Sequence, residues 1–122
     1  MLRSMFQVFV VGSDKAVEFY QKAFDAKLVC AYPNEDGTYM HAELDVYGQI
    51  LAVSESSAKE ASPGNTMMFC LELGAGSADK VYKIYEVLKE GASPHEPIGD
   101  SGYSQHCFVL VDKFGVYWCI FE

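Results

Sequence analysis

A histidine and a glutamate two residues apart, His41 and Glu43, have the residue types and spacing that proton transfer requires. In an extended strand, residues i and i+2 lie on one face, so the imidazole and the carboxylate are neighbours. A carboxylate favours the charged form of a nearby histidine and can orient it as a general base. The same pattern fits a polar pair on a solvated strand face, and both interpretations stay open.

Three further polar residues are candidates for chemistry. His106 lies in a mostly apolar run and is predicted either as a second general base or as a core histidine with a satisfied hydrogen bond. His95 follows a proline and is predicted as an exposed loop residue. Gln7 interrupts the first apolar strand, where a buried amide needs a ligand, a water or a neighbouring side chain as its partner. A metal site formed by His41, His106 and Glu43 is a further alternative.

The composition limits the classes of function. The chain has 122 residues, a length typical of one domain, and 9 basic against 17 acidic side chains, for a net charge of −8. An acidic chain without basic clusters is not expected to bind nucleic acid or an anionic membrane surface. No apolar stretch approaches the ~20 residues that span a bilayer, and no secretory signal is recognisable. The four cysteines form no CxxC pair, so we expect a cytoplasmic protein with reduced thiols.

An internal repeat organises the chain. Residues 45–55 and 112–122 both read Asp-x-aromatic-Gly, then six residues, then Glu. Asp and Gly in this spacing predict a hairpin turn, followed by a strand. Upstream, each half has an apolar strand (5–11 and 66–73) and an amphipathic helix (13–24 and 77–90), then a Pro-containing extended segment (28–33 and 93–98). The sequence therefore predicts two βαβββ modules, about 1–57 and 66–122, joined by a linker over 58–65.

The duplicated βαβββ pattern resembles the glyoxalase/bleomycin-resistance superfamily, also called vicinal oxygen chelate. The resemblance rests on Ala16-Val-Glu-Phe-Tyr20 with Ala23-Phe24, and on Asp112-Lys-Phe-Gly-Val-Tyr-Trp118. Met40-His-Ala-Glu-Leu44 is similar to a branch labelled 3-demethylubiquinone-methyltransferase-like. The resemblance covers essentially the whole chain. It implies an α+β fold in which the two modules form a cupped mixed sheet around a pocket, commonly in a homodimer.

The resemblance also implies a divalent metal held by the first and last strands of each module. The corresponding positions fall near Gln7 and Ala52 in the first module, and near Met68 and Cys119 in the second. Amide, methyl, thioether and thiol groups do not supply the imidazole and carboxylate donors that such open sites use. The sequence therefore predicts no metal ligand and no cofactor.

Strand parity predicts which side chains face the pocket. With the positions that the resemblance adds, the predicted ligand-binding residues are Gln7, Phe9, His41, Glu43, Ser54, Met68, His106, Phe108, Tyr117, Cys119 and Phe121. An aromatic and apolar lining with a few polar groups suits a flat neutral or cationic small molecule.

The leading hypothesis is thus a metal-free small-molecule-binding protein, expected to be a homodimer. The alternatives are a lyase- or isomerase-type enzyme that uses His41 or His106 as general base, a divalent-metal enzyme of the superfamily, and a structural dimerisation module.

Overall fold

The structure, a computed structural model, describes residues 1–64, 66–93 and 96–122. The chain divides into two compact units, Met1–Ala61 and Ser62–Glu122, and each contains one helix and one mixed sheet. The predicted α+β class is confirmed. The division falls inside the segment 58–65 that the sequence predicts as a linker.

The first unit contains the predicted helix and four strands in the predicted order. They are β1 (Phe6–Val10), α1 (Ser13–Phe24), β2 (Lys27–Pro33), β3 (Tyr39–Val46) and β4 (Gln49–Glu55). The strand order in the sheet is β1-β4-β3-β2. β1 runs parallel to β4, and the other neighbours are antiparallel.

Helix α1 buries the apolar side that the sequence predicts. Val17, Tyr20 and Phe24 are at most 2% exposed, and Tyr20 stacks on Phe24 with a centroid distance of 6.3 Å. α1 contacts β1, β3 and β4, where Leu44 and Val53 are fully buried. Burying each large apolar side chain contributes about 1.5–3 kcal/mol. This packing, more than helix propensity, therefore stabilises a 12-residue helix.

In its described residues, the second unit repeats this arrangement with one strand fewer than predicted. It contains β5 (Phe69–Glu72), α2 (Ala78–Leu88), β6 (Cys107–Val111) and β7 (Tyr117–Phe121), in the order β5-β7-β6. β5 runs parallel to β7, and β6 is antiparallel to it. The predicted strand over 93–98 is wrong for residues 93 and 96–98, which are not in a strand, and an isolated bridge joins the following Gly99 to Cys107. Pro97 has no N–H to donate to a strand ladder, which explains the irregular backbone.

Both Asp-x-aromatic-Gly segments form the predicted turns. Between β3 and β4, the Asp45 carboxylate accepts the Gly48 N–H at 2.7 Å, and Gly48 has a φ of 91°. Between β6 and β7, the Asp112 carboxylate accepts the Phe114 N–H at 2.9 Å, and Gly115 has a φ of 88°. Glycine adopts such positive φ angles without the steric cost that a Cβ brings. The repeat therefore fixes the register of both hairpins.

Candidate functional site

Polar candidates of the first unit gather on the sheet face opposite α1, here called the α1-distal face. The strand register places on it Gln7, Phe9, Cys30, Tyr32, Tyr39, His41, Glu43, Ala52 and Ser54. The structure therefore brings together five of the predicted ligand-binding residues: Gln7, Phe9, His41, Glu43 and Ser54. Their neighbours on β3 of opposite parity, Ala42 and Leu44, are fully buried, as the sequence predicts for the helix side.

Glu43 is the centre of a charged network on this face. Its side chain is 5% exposed, and its two carboxylate oxygens each accept a hydrogen bond of 2.8 Å from the Arg3 guanidinium. The Nε2 atom of His41 lies 3.0 Å from one of the same oxygens. The hydrogen bonds from Arg3 and then His41 lower the pKa of Glu43 to about 2, against the opposing effect of burial. A bidentate guanidinium–carboxylate pair is among the stronger hydrogen-bonded arrangements in proteins.

The predicted neighbourhood of His41 and Glu43 is confirmed, but the structure adds a partner that the sequence pattern does not reveal. Arg3 precedes β1 by three residues and is separated from Glu43 by 40 positions. Because Arg3 binds both of its oxygens, Glu43 stays ionised and is held in a position that orients His41. The His41 ring also lies 6.3 Å from the ring of Tyr32 on β2, which is 54% exposed.

The Glu43 network predicts a specific acid sensitivity. The pKa of Glu43 is about 2 in the folded chain against an ordinary 4.5, so the unfolded chain binds more protons between these values. The stabilisation is complete above about pH 4.5 and is lost as the pH falls towards 2. We expect Arg3→Gln to reduce the loss of unfolding free energy between pH 5 and pH 3, as measured by urea unfolding.

The control for this prediction is Lys15→Gln, which removes one positive charge from an exposed position on α1. Lys15→Gln should keep the acid sensitivity of the unchanged protein. Equal pH dependence in Arg3→Gln and the unchanged protein would contradict the role of Arg3.

Gln7 has the partner that its position requires. Its side-chain amide donates to the Ser54 hydroxyl at 2.9 Å, across the parallel pair of β1 and β4. Ser54 is 6% exposed, whereas Phe9, two residues along β1, is 67% exposed. The α1-distal face thus combines a fixed amide–hydroxyl pair with aromatic side chains, Phe9 and Tyr32, that present their rings to the surface.

In the second unit, the predicted face is correct for β7 and wrong for β6. Tyr117, Cys119 and Phe121 lie opposite α2, on what is here called the α2-distal face, together with Cys70 and Cys107. Phe108 points to the helix side, where it is 2% exposed and its ring lies 5.2 Å from that of Tyr85. Every residue of β6 is apolar, so alternation along Cys-Phe-Val-Leu-Val gives no signal for its orientation.

His106 has a carboxylate partner within the second unit. Its Nδ1 atom hydrogen-bonds the Glu122 carboxylate, and its ring lies 5.8 Å from Tyr82 on α2. Glu122 also accepts the Gly76 N–H at 3.2 Å, immediately before α2. The hydrogen bond from His106 holds the pKa of Glu122 below its ordinary value. Within the second unit, Glu122 therefore orients His106.

Met68 is 38% exposed and immediately precedes β5. His95 lies outside the described residues.

The second unit contains a cleft of about 310 Å³. Glu122, the hydrogen-bond partner of His106, is part of its lining, together with Glu72, Ala75, Gly76, Tyr103, Ser104 and Gln105.

The side chains at the family's metal positions do not fit a divalent centre. In the first unit, Gln7 is hydrogen-bonded to Ser54, and Ala52 has no donor atom. In the second unit, Met68 offers a thioether and Cys119 a thiol, and neither group is an imidazole or a carboxylate. Across residues 1–64, 66–93 and 96–122, no three His, Cys, Asp or Glu side chains are grouped to hold an ion. Imidazole and carboxylate donors, which such a centre needs, are therefore missing from these positions.

Neither helix in the described residues is long and apolar enough to cross a membrane.

Comparisons with known proteins identify the family and the fold. A model of the Glyoxalase/Bleomycin resistance protein/Dioxygenase superfamily matches residues 4–120. An uncharacterised protein of Mycobacterium bovis is 26% identical, over 86% of this chain and 72% of its own length. Two uncharacterised Mycobacterium tuberculosis proteins are also 26% identical, and the chain spans 65% of their length.

Solved structures show the same fold at low identity. Protein PA1353 from Pseudomonas aeruginosa has a TM-score of 0.78 and 20% identity, covering 99% of this chain and 97% of its own. The PhnB protein from Bacillus cereus, whose name places it with 3-demethylubiquinone-9 3-methyltransferases, has a TM-score of 0.79 and 20% identity, covering 99% and 98%. A FosX fosfomycin resistance protein from Listeria monocytogenes, complexed with Mn(II) and a dihydroxypropylphosphonic acid, has a TM-score of 0.65 and 15% identity, covering 98% and 87%.

Proposed function

Since the chain belongs to the Glyoxalase/Bleomycin resistance protein/Dioxygenase superfamily, we propose that it binds a planar, uncharged small organic molecule on the α1-distal face, without a divalent cation. Capture of the ligand, rather than a metal-dependent reaction, is the role assigned to this face. We also keep the sequence-based predictions that the protein is a homodimer and is cytoplasmic, which size-exclusion chromatography with light scattering and cell fractionation would test.

The observation that carries this proposal is an ion pair that lies on the same face as exposed aromatic rings. Arg3 and Glu43 cancel each other's charge, so this part of the face offers no net charge for an ionic ligand. Phe9 and Tyr32 offer ring surfaces that are 67% and 54% exposed. Small-molecule sites typically combine apolar and aromatic surface with a few fixed polar groups. Gln7, Ser54 and His41 supply such groups here, and Gln7 and Ser54 already hold each other in place.

The donor chemistry of the first unit supports binding without a metal. Gln7 and Ala52 occupy the family positions, and neither is an imidazole or a carboxylate. Glu43 and His41 lie on the same face but are bonded to each other, and Glu43 is bonded twice to Arg3. A cation would have to compete with the guanidinium for the carboxylate, which costs the charge-assisted hydrogen bonds.

Replacing Phe9 by serine should weaken ligand binding at least tenfold. A planar ligand that stacks on Phe9 loses the buried apolar area and the aromatic contact, together about 1.5 kcal/mol or more. The measurement is a thermal-shift screen of uncharged aromatic compounds with and without EDTA, followed by calorimetric titration of each compound that binds.

Met40→Ser is the matched control for Phe9→Ser. Met40 is 62% exposed, lies in the same sheet, and has the opposite parity to His41 on β3. Met40→Ser should bind as the unchanged protein does, and EDTA should have no effect. Binding that disappears with EDTA, or that survives Phe9→Ser unchanged, would refute the proposal.

The second candidate function is proton transfer by His41. The 3.0 Å contact between His41 Nε2 and Glu43 favours it, because an oriented imidazole can abstract a proton next to a carbonyl group. The FosX structures with Mn(II) raise the third alternative, a metalloenzyme. Product formation from a bound compound would support the second candidate, and stoichiometric Zn, Ni, Mn or Fe in protein purified without chelator would support the third.

A further inference from the structure

We propose that the second unit binds one copper(I) ion between the sulfur atoms of Cys107 and Cys119. The residues of this site belong to the second unit, whereas the ligand-binding face proposed above is made of residues of the first unit.

The two thiols form a close pair under an aromatic cover. Their sulfur atoms are 3.9 Å apart, and the residues are 7% and 3% exposed. The Tyr103 hydroxyl oxygen lies 3.9 Å from each sulfur atom, and its ring packs edge-on against Phe121 with a centroid distance of 5.1 Å. Tyr103 itself is 67% exposed, so its side chain can move aside without disturbing the core.

The register of the strands favours a bridging ion over a disulfide. Cys107 lies opposite Phe121, and Cys119 lies opposite Val109, so the two cysteines are diagonal neighbours. Diagonal neighbours in an antiparallel pair have Cα atoms about 7–8 Å apart. Most disulfides need about 4.4–6.8 Å, so a direct bond would require backbone movement.

A metal ion between the sulfur atoms needs less movement. With metal–sulfur bonds of about 2.3 Å, a linear bridge holds its two sulfur atoms about 4.6 Å apart. The observed 3.9 Å differs from that distance by a change that side-chain rotation can supply.

The number and kind of donors select copper(I). Soft thiolate ligands favour copper(I) and zinc among biological metals. Structural zinc takes four ligands, and the described residues contain no group of even three suitable side chains. Copper(I) is stable with two thiolates alone. Each thiol loses its proton as its copper–sulfur bond forms, so binding releases two protons and transfers no electron.

The test is an anaerobic titration of the reduced protein against the copper(I)–bicinchoninate complex. The unchanged protein should withdraw one copper(I) per chain. Cys107→Ser and Cys119→Ser should each abolish this, whereas Cys30→Ser, a half-buried cysteine of the first unit, should retain it. Cys70→Ser should also retain it, because the exposed Cys70 is not one of the two ligands.

X-ray absorption at the copper edge of the unchanged protein gives an answer that does not depend on how the variants fold. We expect the copper ion to have two sulfur neighbours and no nitrogen neighbour. Three or more neighbours, copper retained by Cys107→Ser, copper lost in Cys70→Ser, or displacement of copper by an equal amount of zinc would each overturn the proposal. Failure of this site would leave the small-molecule proposal untouched, since that test uses the first unit.

Discussion

Replacing Asp112 by alanine should destabilise the second unit by about 3 kcal/mol. Asp112 is 3% exposed, and one of its carboxylate oxygens accepts the Phe114 and Val116 N–H groups at 2.9 and 3.0 Å. The other oxygen accepts the Trp118 indole N–H at 2.9 Å. Removing an acceptor from a buried donor costs about 1–3 kcal/mol. Trp118 is 1% exposed, so water cannot replace the lost acceptor at the indole.

The repeat supplies the control, because Asp45 occupies the same motif position in the first unit. Asp45 is exposed and accepts the Gly48 N–H at 2.7 Å. Water can take over that role, and we expect Asp45→Ala to cost about 0.5–1 kcal/mol. Urea unfolding followed by circular dichroism measures both variants. Equal losses in the two variants would show that burial of the Asp112 network is unimportant.

Replacing Glu55 by alanine should destabilise the first unit by about 2–3 kcal/mol. Helix α1 begins after Gly12, which has no side chain to cap it. The Glu55 carboxylate instead accepts the Gly12 and Ser13 N–H groups at 3.0 and 2.8 Å and the Ser13 hydroxyl at 2.8 Å. Burial alone would raise the pKa of Glu55, but the Ser13 and Gly12 hydrogen bonds hold it below its ordinary value. An anion at a helix N-terminus also interacts favourably with the helix dipole.

The loss of stability in Glu55→Ala should be local to the start of α1. Ser13 is fully buried, and its hydroxyl oxygen also accepts the Tyr39 N–H at 2.8 Å, so its position depends on Glu55. Amide hydrogen exchange in the first turn of α1 should accelerate in Glu55→Ala, whereas Glu55→Gln should recover part of the protection. Glu18→Ala removes an exposed carboxylate from the same helix. A loss in Glu55→Ala no larger than that in Glu18→Ala would refute the capping role.

The elements that the sequence predicts well are those set by local chemistry. The spacing of Val17, Tyr20 and Phe24 predicts α1 and its buried side. The Asp and Gly residues of the two repeats predict both hairpin turns, because positive φ and a side-chain acceptor are local needs. The parity of His41 and Glu43 follows from a strand that alternates clearly between polar and apolar residues. The identical final glutamates are also visible as a repeat, although only the structure shows that both contact the start of a helix.

The parts that the sequence does not predict depend on long-range contacts. Arg3 pairs with a carboxylate 40 residues away, and nothing in its own segment marks that partner. The orientation of β6, and with it Phe108, is invisible in a run of five apolar residues. The thiol pair is an intermediate case, because the turn at Asp112–Gly115 sets a register that brings Cys107 and Cys119 close. That register, applied to the hairpin sequence, predicts that the two cysteines are diagonal neighbours.

The position of Arg3 matters for how this protein is prepared. Arg3 lies ahead of the first strand, so a chain trimmed to begin at Phe6 would keep every helix and strand. Such a chain would nevertheless leave the Glu43 carboxylate without its guanidinium, while the contact with His41 would remain. A preparation trimmed in this way would thus present ligands with a face that lacks one positive charge of the intact chain, although its helices and strands are the same.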